Sequence, residues 1–219
     1  MYAIREATMV FRQLKIGGDR NFAYIIADPV TLQGAIVDPG SDPDTIMDEV
    51  RKLQIKITHI FNTHSHWDHI AANGEIAAET GARVFGFDSS VSDVTVSDGQ
   101  VIHLGKLEMT IIHTPGHTPD SMCILVENKV LTGDTLFVGK IGGTGYGRDA
   151  RQEYDSLHNR LLILPDTTEV FPGHDYGITP SSTIGREKRT NPFLLQPDFA
   201  SFVDLKRNWT AYKKAHGIQ

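Results

Sequence analysis

Short, unbroken apolar runs alternate along the chain with segments of helical spacing. Phe22–Ala27 (FAYIIA) and Gly34–Val37 are bounded by polar residues and predict strands buried on both faces. Asp38-Pro39-Gly40 follows as a turn, and Ser41-Asp42-Pro43 predicts a helix start with Pro43 in its first turn. That helix places Ile46, Val50 and Leu53 on one face. Ile57–Phe61 predicts a further strand, closed by Asn62-Thr63. Helical spacing resumes over Ile70–Thr80 and stops at Gly81, a residue suited to a helix C-terminus.

The second half predicts strands at Val101–Leu104, Leu107–His113, Met122–Val126, Lys129–Leu131 and Glu169–Phe171. After the glycine-rich stretch Gly139–Gly147, a helix is expected over Arg151–Leu164, with Leu157, Leu161 and Leu164 facing inward. Phe202, Leu205, Trp209 and Tyr212 mark a closing amphipathic helix in a short basic tail over about 199–216. No linker-like composition divides the 219 residues. The pattern predicts one α/β domain over 1–219, built on two mixed sheets or one large one.

Composition narrows the function classes. With 40% hydrophobic and 22% charged residues the chain has ordinary globular content, which excludes disorder. One cysteine, Cys123, excludes an intrachain disulfide and a cysteine-based zinc module, and makes the cytoplasm the expected compartment. No run approaches the ~18 apolar residues of a membrane span, and Met1–Gly18 lacks a signal-peptide core. The net charge of −6 divides into +4 over residues 185–219 and −10 elsewhere. No basic stripe of the kind that binds nucleic acid is present. A small-molecule partner is expected, with neither nucleic acid nor membrane.

The ten histidines carry the chemistry. Directly after the Ile57–Phe61 strand comes Thr63-His64-Ser65-His66-Trp67-Asp68-His69. A metal ion needs several N and O donors converging on one point, and loops at strand ends supply them with little strain. His64 and His66, two apart in an extended segment, project to one side; Asp68 and His69 follow at the turn into the next helix. Three further sites share one grammar: His117 in Thr-Pro-Gly-His, Asp134 in Thr-Gly-Asp-Thr and His174 in Phe-Pro-Gly-His. Each follows a glycine that ends an apolar run, where the backbone can turn sharply into a cleft.

The seven donors divide into His64, His66 and His117 for one ion and Asp68, His69 and His174 for another, with Asp134 bridging. Two cations at such a site hold a hydroxide and polarise a substrate oxygen. Asp68 and Asp134 are then catalytic as the ligands that position that hydroxide. Zinc is the first expectation for the two divalent ions, and mixed His/Asp donors also suit iron or manganese. His59 and His113 lie within apolar strands and are expected to be bonded core residues. His103, His158 and His216 are expected at the surface, and Cys123 is expected to be a buried thiol.

The run THSHWDH, followed in order by TPGHTPDS, LTGDTLF and FPGHDYG, resembles the metallo-β-lactamase superfamily. The resemblance implies a four-layer αβ/βα sandwich with the metals at one edge of the two sheets. Asp134, His69, Trp67 and Asp134-Thr135-Leu136-Phe137 are similar to the glyoxalase II branch, as is the tail from Ser181 through Asn191-Pro192-Phe193. That branch implies hydrolysis of a thioester of the hydroxyacylglutathione type, and Tyr176 matches a family tyrosine beside glutathione. Relatives carry a basic residue in the loop where this chain reads Ile141-Gly142-Gly143-Thr144-Gly145-Tyr146. The nearest cations in sequence are Arg186, Lys188 and Arg189, so Arg186 joins Tyr176 as an expected substrate contact.

The alternative within the same fold is a mononuclear-iron persulfide dioxygenase, which would use His64, His117 and Asp134. Enzymes of that kind usually have a small residue at the position of Trp67 and an Arg-Thr-Asp-Phe-like segment at Gly143–Tyr146, which this chain lacks. Lactone or other ester hydrolysis, and a non-catalytic metal-stabilised binding protein, are weaker alternatives.

Overall fold

A computed structural model describes residues 8–217. The first sheet has six strands in the order of the chain: β1 (Val10–Lys15), β2 (Phe22–Ala27), β3 (Gln33–Val37), β4 (Lys56–Phe61), β5 (Arg83–Gly86) and β6 (Val94–Thr95). The pairs β1–β2 and β2–β3 are antiparallel, and β3 through β6 run parallel. The chain then lays down β7 (Val101–Leu104), β8 (Leu107–His113), β9 (Met122–Val126) and β10 (Lys129–Gly133). A two-stranded ladder of β11 (Leu136–Phe137) and β12 (Lys140–Ile141) follows, and then β13 (Glu169–Pro172) and β14 (Ser182–Thr183). The second six-stranded sheet runs β14-β13-β10-β9-β8-β7, with β10 and β13 parallel.

Alternation along the strands sorts the side chains into layers. In β2, Phe22, Tyr24 and Ile26 face the second sheet, meeting Met109, Ile111, Ile124 and Phe171. Ala23, Ile25 and Ala27 turn the other way, toward α1 (Pro43–Leu53) and, past α2 (Trp67–Ile70), α3 (Asn73–Thr80). The outer face of the second sheet packs on α4 (Arg148–Ser156), a π-helical turn (Leu157–Leu161), α5 (Ile184–Thr190), α6 (Phe199–Arg207) and α7 (Trp209–His216). Helix, sheet, sheet and helix are the four layers of an αβ/βα sandwich, as the resemblance implied. Both faces of each sheet are covered, which is why the central strands are continuous apolar runs.

Several expected elements take a different form. The helix expected over Ile70–Thr80 is interrupted: the Ala72 N–H bonds the Gly40 carbonyl (2.6 Å), and Asn21 Nδ2 bonds the Asp68 carbonyl (3.2 Å). Both groups that would have continued the helix are therefore engaged by distant chain. The helix expected over Arg151–Leu164 begins at Arg148 and relaxes into the π turn, with Leu162 N–H bonding Leu157 O. The closing helix is two helices, α6 and α7, divided at Asn208. Strands β1 and β5, the two-residue strands β6, β11, β12 and β14, and helix α5 were not expected. β1 (VFRQLK) is a half-exposed edge with polar alternate positions, and α5 (IGREKRT) is short and mostly polar. Among the described residues no helix is long and apolar enough to cross a membrane.

Candidate metal centre

Four strand ends deliver polar residues to one edge shared by the sheets. His64 and His66 follow β4, His117 follows β8, Asp134 follows β10 and His174 follows β13, while Asp68 and His69 lie in α2. Backbone bonds lace the two sheets together there. Met122 N–H bonds Thr63 O (2.8 Å) and Phe22 N–H bonds Gly173 O (2.8 Å). Gly133 has a left-handed φ of 48°, the sharp turn expected before Asp134. Gly173 serves for space: a Cβ there would lie 2.4 Å from Asp134 Oδ1 and 2.9 Å from His69 Cε1.

Three donor groups result, each with its atoms within 4.8 Å of one another: His64/His66/His117, His64/His69/Asp134 and Asp68/His69/His174. His66 Nδ1 stands 3.0 Å from His64 Nε2 and 3.1 Å from His117 Nε2. On the other side His69 Nε2 is 3.2 Å from His174 Nε2, and the Asp68 carboxylate is 3.7 and 3.5 Å from those two nitrogens. Asp134 stands between the groups, 3.6 Å from His117 Nε2, 3.5 Å from His69 Nε2 and 3.3 Å from His174 Nε2.

The hydrogen bonds behind the rings decide what these nitrogens present. His174 Nδ1 faces the carbonyl of Asp19 (2.8 Å) and His117 Nδ1 that of Gly143 (2.8 Å), and a carbonyl can only accept. His69 Nδ1 faces Asp38 Oδ2 (3.0 Å). His64 Nδ1 faces Thr63 Oγ1 (3.2 Å), whose own proton goes to Asp38 Oδ2 (2.6 Å). This network assigns the N–H to Nδ1 in all four rings and leaves each Nε2 lone pair aimed inward. Lone pairs 3.2 Å apart, as at His69 and His174, require a proton or a cation between them.

The residues present fit metal ions. Tetrahedral ligands at the usual Zn–N and Zn–O distances are separated by roughly 3.3–3.5 Å, close to the spacings found here. Asp134 Oδ1 is buried and has no hydrogen-bond partner. A carboxylate or carbonyl behind three of the five rings, and a hydroxyl behind a fourth, is an arrangement common around bound metals. Among the described residues, neither His59 nor His113 belongs to a donor group. His59 bonds Thr58 and stacks on Phe61, and His113 bonds the Pro119 carbonyl.

The charges follow the geometry. Burial pushes the His69 imidazole toward neutrality, but Asp38, Asp134 and Asp68 outweigh it and lift its pKa to about 9. Burial and the neighbouring His69 drive His64 well down, and burial lowers His117 despite Asp134. Burial opposes ionisation of Asp134, yet the His174, His69 and His64 rings hold its carboxyl well below the ordinary range. Cys123 is wholly buried and its thiol is pushed up to about 12, so it offers no thiolate.

Beside the donors opens a cleft of about 340 Å³, whose lining includes Phe137, Lys140, Tyr146, Tyr176, Lys206 and Trp209. Tyr176 stacks on His174 (centroids 4.7 Å apart) and donates its hydroxyl to Asp19. Lys140 Nζ sits 3.9 Å from the Tyr176 ring centre and has no carboxylate partner among the described residues. Arg186, expected as a substrate contact, stands apart from this cleft. Its guanidinium bonds Thr179 Oγ1 (3.2 Å) and is not part of the cleft wall, because β14 and α5 carry it away. Lys188 and Arg189 are drawn to Asp166. Sequence reasoning missed Lys140, which stands in plain view between Gly139 and Ile141, and it read Asp38 only as a turn residue.

Two stacked mixed sheets, helices outside them and a His/Asp donor cluster at their common edge define a class of αβ/βα sandwich proteins suited to holding metal ions at that edge. The chain belongs to the metallo-β-lactamase superfamily, whose family model matches residues 16–91 and 84–174. It is 35% identical over 166 residues to a hydroxyacylglutathione hydrolase of Polaromonas sp., a match covering 72% of this chain and 63% of that one. Among solved structures it is similar to ETHE1 from Myxococcus xanthus, at 37% identity and TM-score 0.85, covering 92% and 91% of the two chains. It is also similar to TTHA1623 in a di-iron-bound form, at 26% identity and TM-score 0.71, covering 84% of this chain and all of that one (100%).

Proposed function

We propose that this protein hydrolyses a thioester of an anionic thiol, of the hydroxyacylglutathione kind, with two divalent ions in its donor cluster. The observation that carries the reading is the pair of donor triads with Asp134 facing both. His64, His66 and His117 would hold one ion, Asp68, His69 and His174 the other, and Asp134 would contact each. When bound, such a pair supplies a water of lowered pKa as nucleophile and polarises the acyl oxygen. Zinc is the first choice, with iron or manganese suited to the same donors; the likeness to a di-iron protein supports keeping iron.

The chain's own residues supply the rest. Asp38 fixes His69 directly and His64 through Thr63. Asn21 Nδ2 holds the Asp68 carboxylate at 2.9 Å. Phe137, Tyr176 and Trp209 form an apolar wall for the substrate, and the Lys140 ammonium receives its anionic end. A thiol leaves readily as its thiolate, so the site needs no dedicated proton donor for the leaving group.

A second reading, the mononuclear-iron persulfide dioxygenase, is supported equally by the likeness to ETHE1. It would use His64, His117 and Asp134 and leave His66, Asp68, His69 and His174 without a role. Metal content per chain, measured together with S-lactoylglutathione turnover and oxygen uptake on glutathione persulfide, separates the two. Two ions with thiol release are expected. One iron with oxygen uptake and no thioester turnover would overturn the proposal.

A further inference from the structure

We propose that Lys206 of α6 is a positioning residue for the metal ligand His117, acting with Glu153 through the loop Gly142–Thr144. Lys206 and Glu153 form an ion pair whose side chains are 6% and 1% exposed, on α6 and α4 respectively. A buried ion pair seldom adds stability over an apolar pair of similar size, so its presence asks for a positional role. The contacts around it supply one.

The Lys206 ammonium also donates to the Gly142 carbonyl (3.3 Å), and Glu153 Oε2 lies 3.4 Å from Thr144 Oγ1, which shares its one proton between that carboxylate and the Gly145 carbonyl at 2.9 Å. The pair thus grips the loop on both sides of Gly143. Gly143 provides the carbonyl that accepts the His117 Nδ1–H (2.8 Å) and so fixes which nitrogen that ring presents. Gly142 lies against the same ring: a Cβ there would be 3.2 Å from His117 Nδ1 and 2.0 Å from the Asp134 carbonyl oxygen. From below, Gly116 packs on Glu153 itself, where a Cβ would be 2.4 Å from Glu153 Cβ. Ser156 Oγ holds the Pro115 carbonyl at 2.8 Å. His117 is therefore clamped from above by the loop and from below by α4, and Lys206 ties both to α6. The C-terminal helix acts on the metal centre from behind its outer carbonyl.

The test is stepwise chelator competition with zinc on the full chain, which reads the affinity of each equivalent separately. His117→Ala marks which equivalent belongs to the His64/His66/His117 triad. The variant Lys206→Met/Glu153→Gln replaces the pair by neutral side chains of similar volume. It is expected to weaken that equivalent alone by up to roughly 10-fold, the low end of the cost of losing an outer partner of a metal ligand, since the Gly143 carbonyl is loosened and not removed. Lys206→Arg keeps a donor to both partners and is expected to restore the affinity. Unchanged affinities in the double variant, or parallel weakening of both equivalents, would overturn the proposal. Should the double variant not fold, Lys206→Met alone decides by the same readout, since it keeps a side chain of similar volume and removes the donor to both Gly142 and Glu153. The proposal rests on reading His64, His66 and His117 as one ion's donors. A wild-type protein that binds a single equivalent would overturn that reading instead, before any variant is compared.

Discussion

Replacing Asp38 by asparagine is the sharpest single test of the metal centre, because one carboxylate stands behind both donor groups. Asp38 is 2% exposed, holds a left-handed φ of 51° and receives Thr63 N–H (2.8 Å), Thr63 O–H (2.6 Å) and His69 Nδ1 (3.0 Å). Asparagine fits the same space, but only one of its two terminal atoms accepts. With its oxygen kept on Thr63 N–H, its NH₂ faces His69 Nδ1 and the Thr63 hydroxyl. His69 must then take the other tautomer, with the proton on Nε2, the atom that points at His174. Thr63 loses the acceptor that aimed its own oxygen at His64. Each displaced ligand is expected to cost roughly 10–100-fold in metal affinity, about 1.4–2.7 kcal/mol, and both ions are affected. Chelator competition should show two weakened equivalents, against one for His174→Ala. Two unchanged equivalents would refute the tautomer argument.

The same substitution has a signature in metal-free protein. His69 has its pKa raised from 6.5 to about 9 on folding, so the folded state holds its proton more tightly than the unfolded chain. The stabilisation is therefore fully present below pH 6.5 and is lost as pH rises through about 9. A shift of that size corresponds to roughly 3 kcal/mol. Urea unfolding of the metal-free protein should thus give a stability that falls between pH 6.5 and 9, with a much shallower fall in Asp38→Asn. An identical slope in the two proteins would assign the effect elsewhere.

Three further outcomes are expected, the last with a paired control. Asp134→Ala should lower metal content at both positions and abolish turnover, since Asp134 alone faces both donor groups; retention of two ions with turnover would reassign it. Gly173→Ala should destabilise the protein by about 1–3 kcal/mol and reduce metal content, because its Cβ would press on Asp134 and His69; urea unfolding and metal analysis check this. Lys140→Gln should raise KM for an anionic thioester roughly fivefold, as for a half-exposed charge contact, and spare an uncharged one. Arg186→Gln, off the cleft, should change neither KM, and the reverse pattern would return the substrate contact to Arg186.

What was legible in the sequence is what local chemistry decides. FAYIIA is a strand buried on both faces because nothing in it can face water, and the Asp42-Pro43 start and Gly81 stop are helix-end chemistry. His64, His117, Asp134 and His174 were legible as candidate donors because each follows the end of an apolar run, with His66, Asp68 and His69 close behind the first. The break between α2 and α3 was not, since it arises from bonds to Gly40 and Asn21, about 30 to 50 residues away in sequence. Arg186 drew attention because it follows His174 closely in sequence. In space β14 and α5 carry it off, and Lys140, on β12, enters the cleft in its place.

Asp38 and the two outer carbonyls show the limit more sharply. Asp38-Pro39-Gly40 reads as a turn, and it is one. Its carboxylate acquires a second role only because parallel pairing of β3 and β4 sets Val37 beside Phe61, which brings the Asp38 side chain within reach of Thr63 one residue past the register. The partners that orient His117 and His174 are the carbonyls of Gly143 and Asp19, a group every residue possesses. No residue type at those positions could announce the role. It is fixed by where the backbone is held, at Gly143 by the Lys206–Glu153 pair and at Asp19 by the neighbouring Arg20 carbonyl, which receives Asp175 N–H at 2.8 Å. The candidate donors of this centre are thus written in side chains, while their orientation is written in the packing of distant elements on the backbone around them.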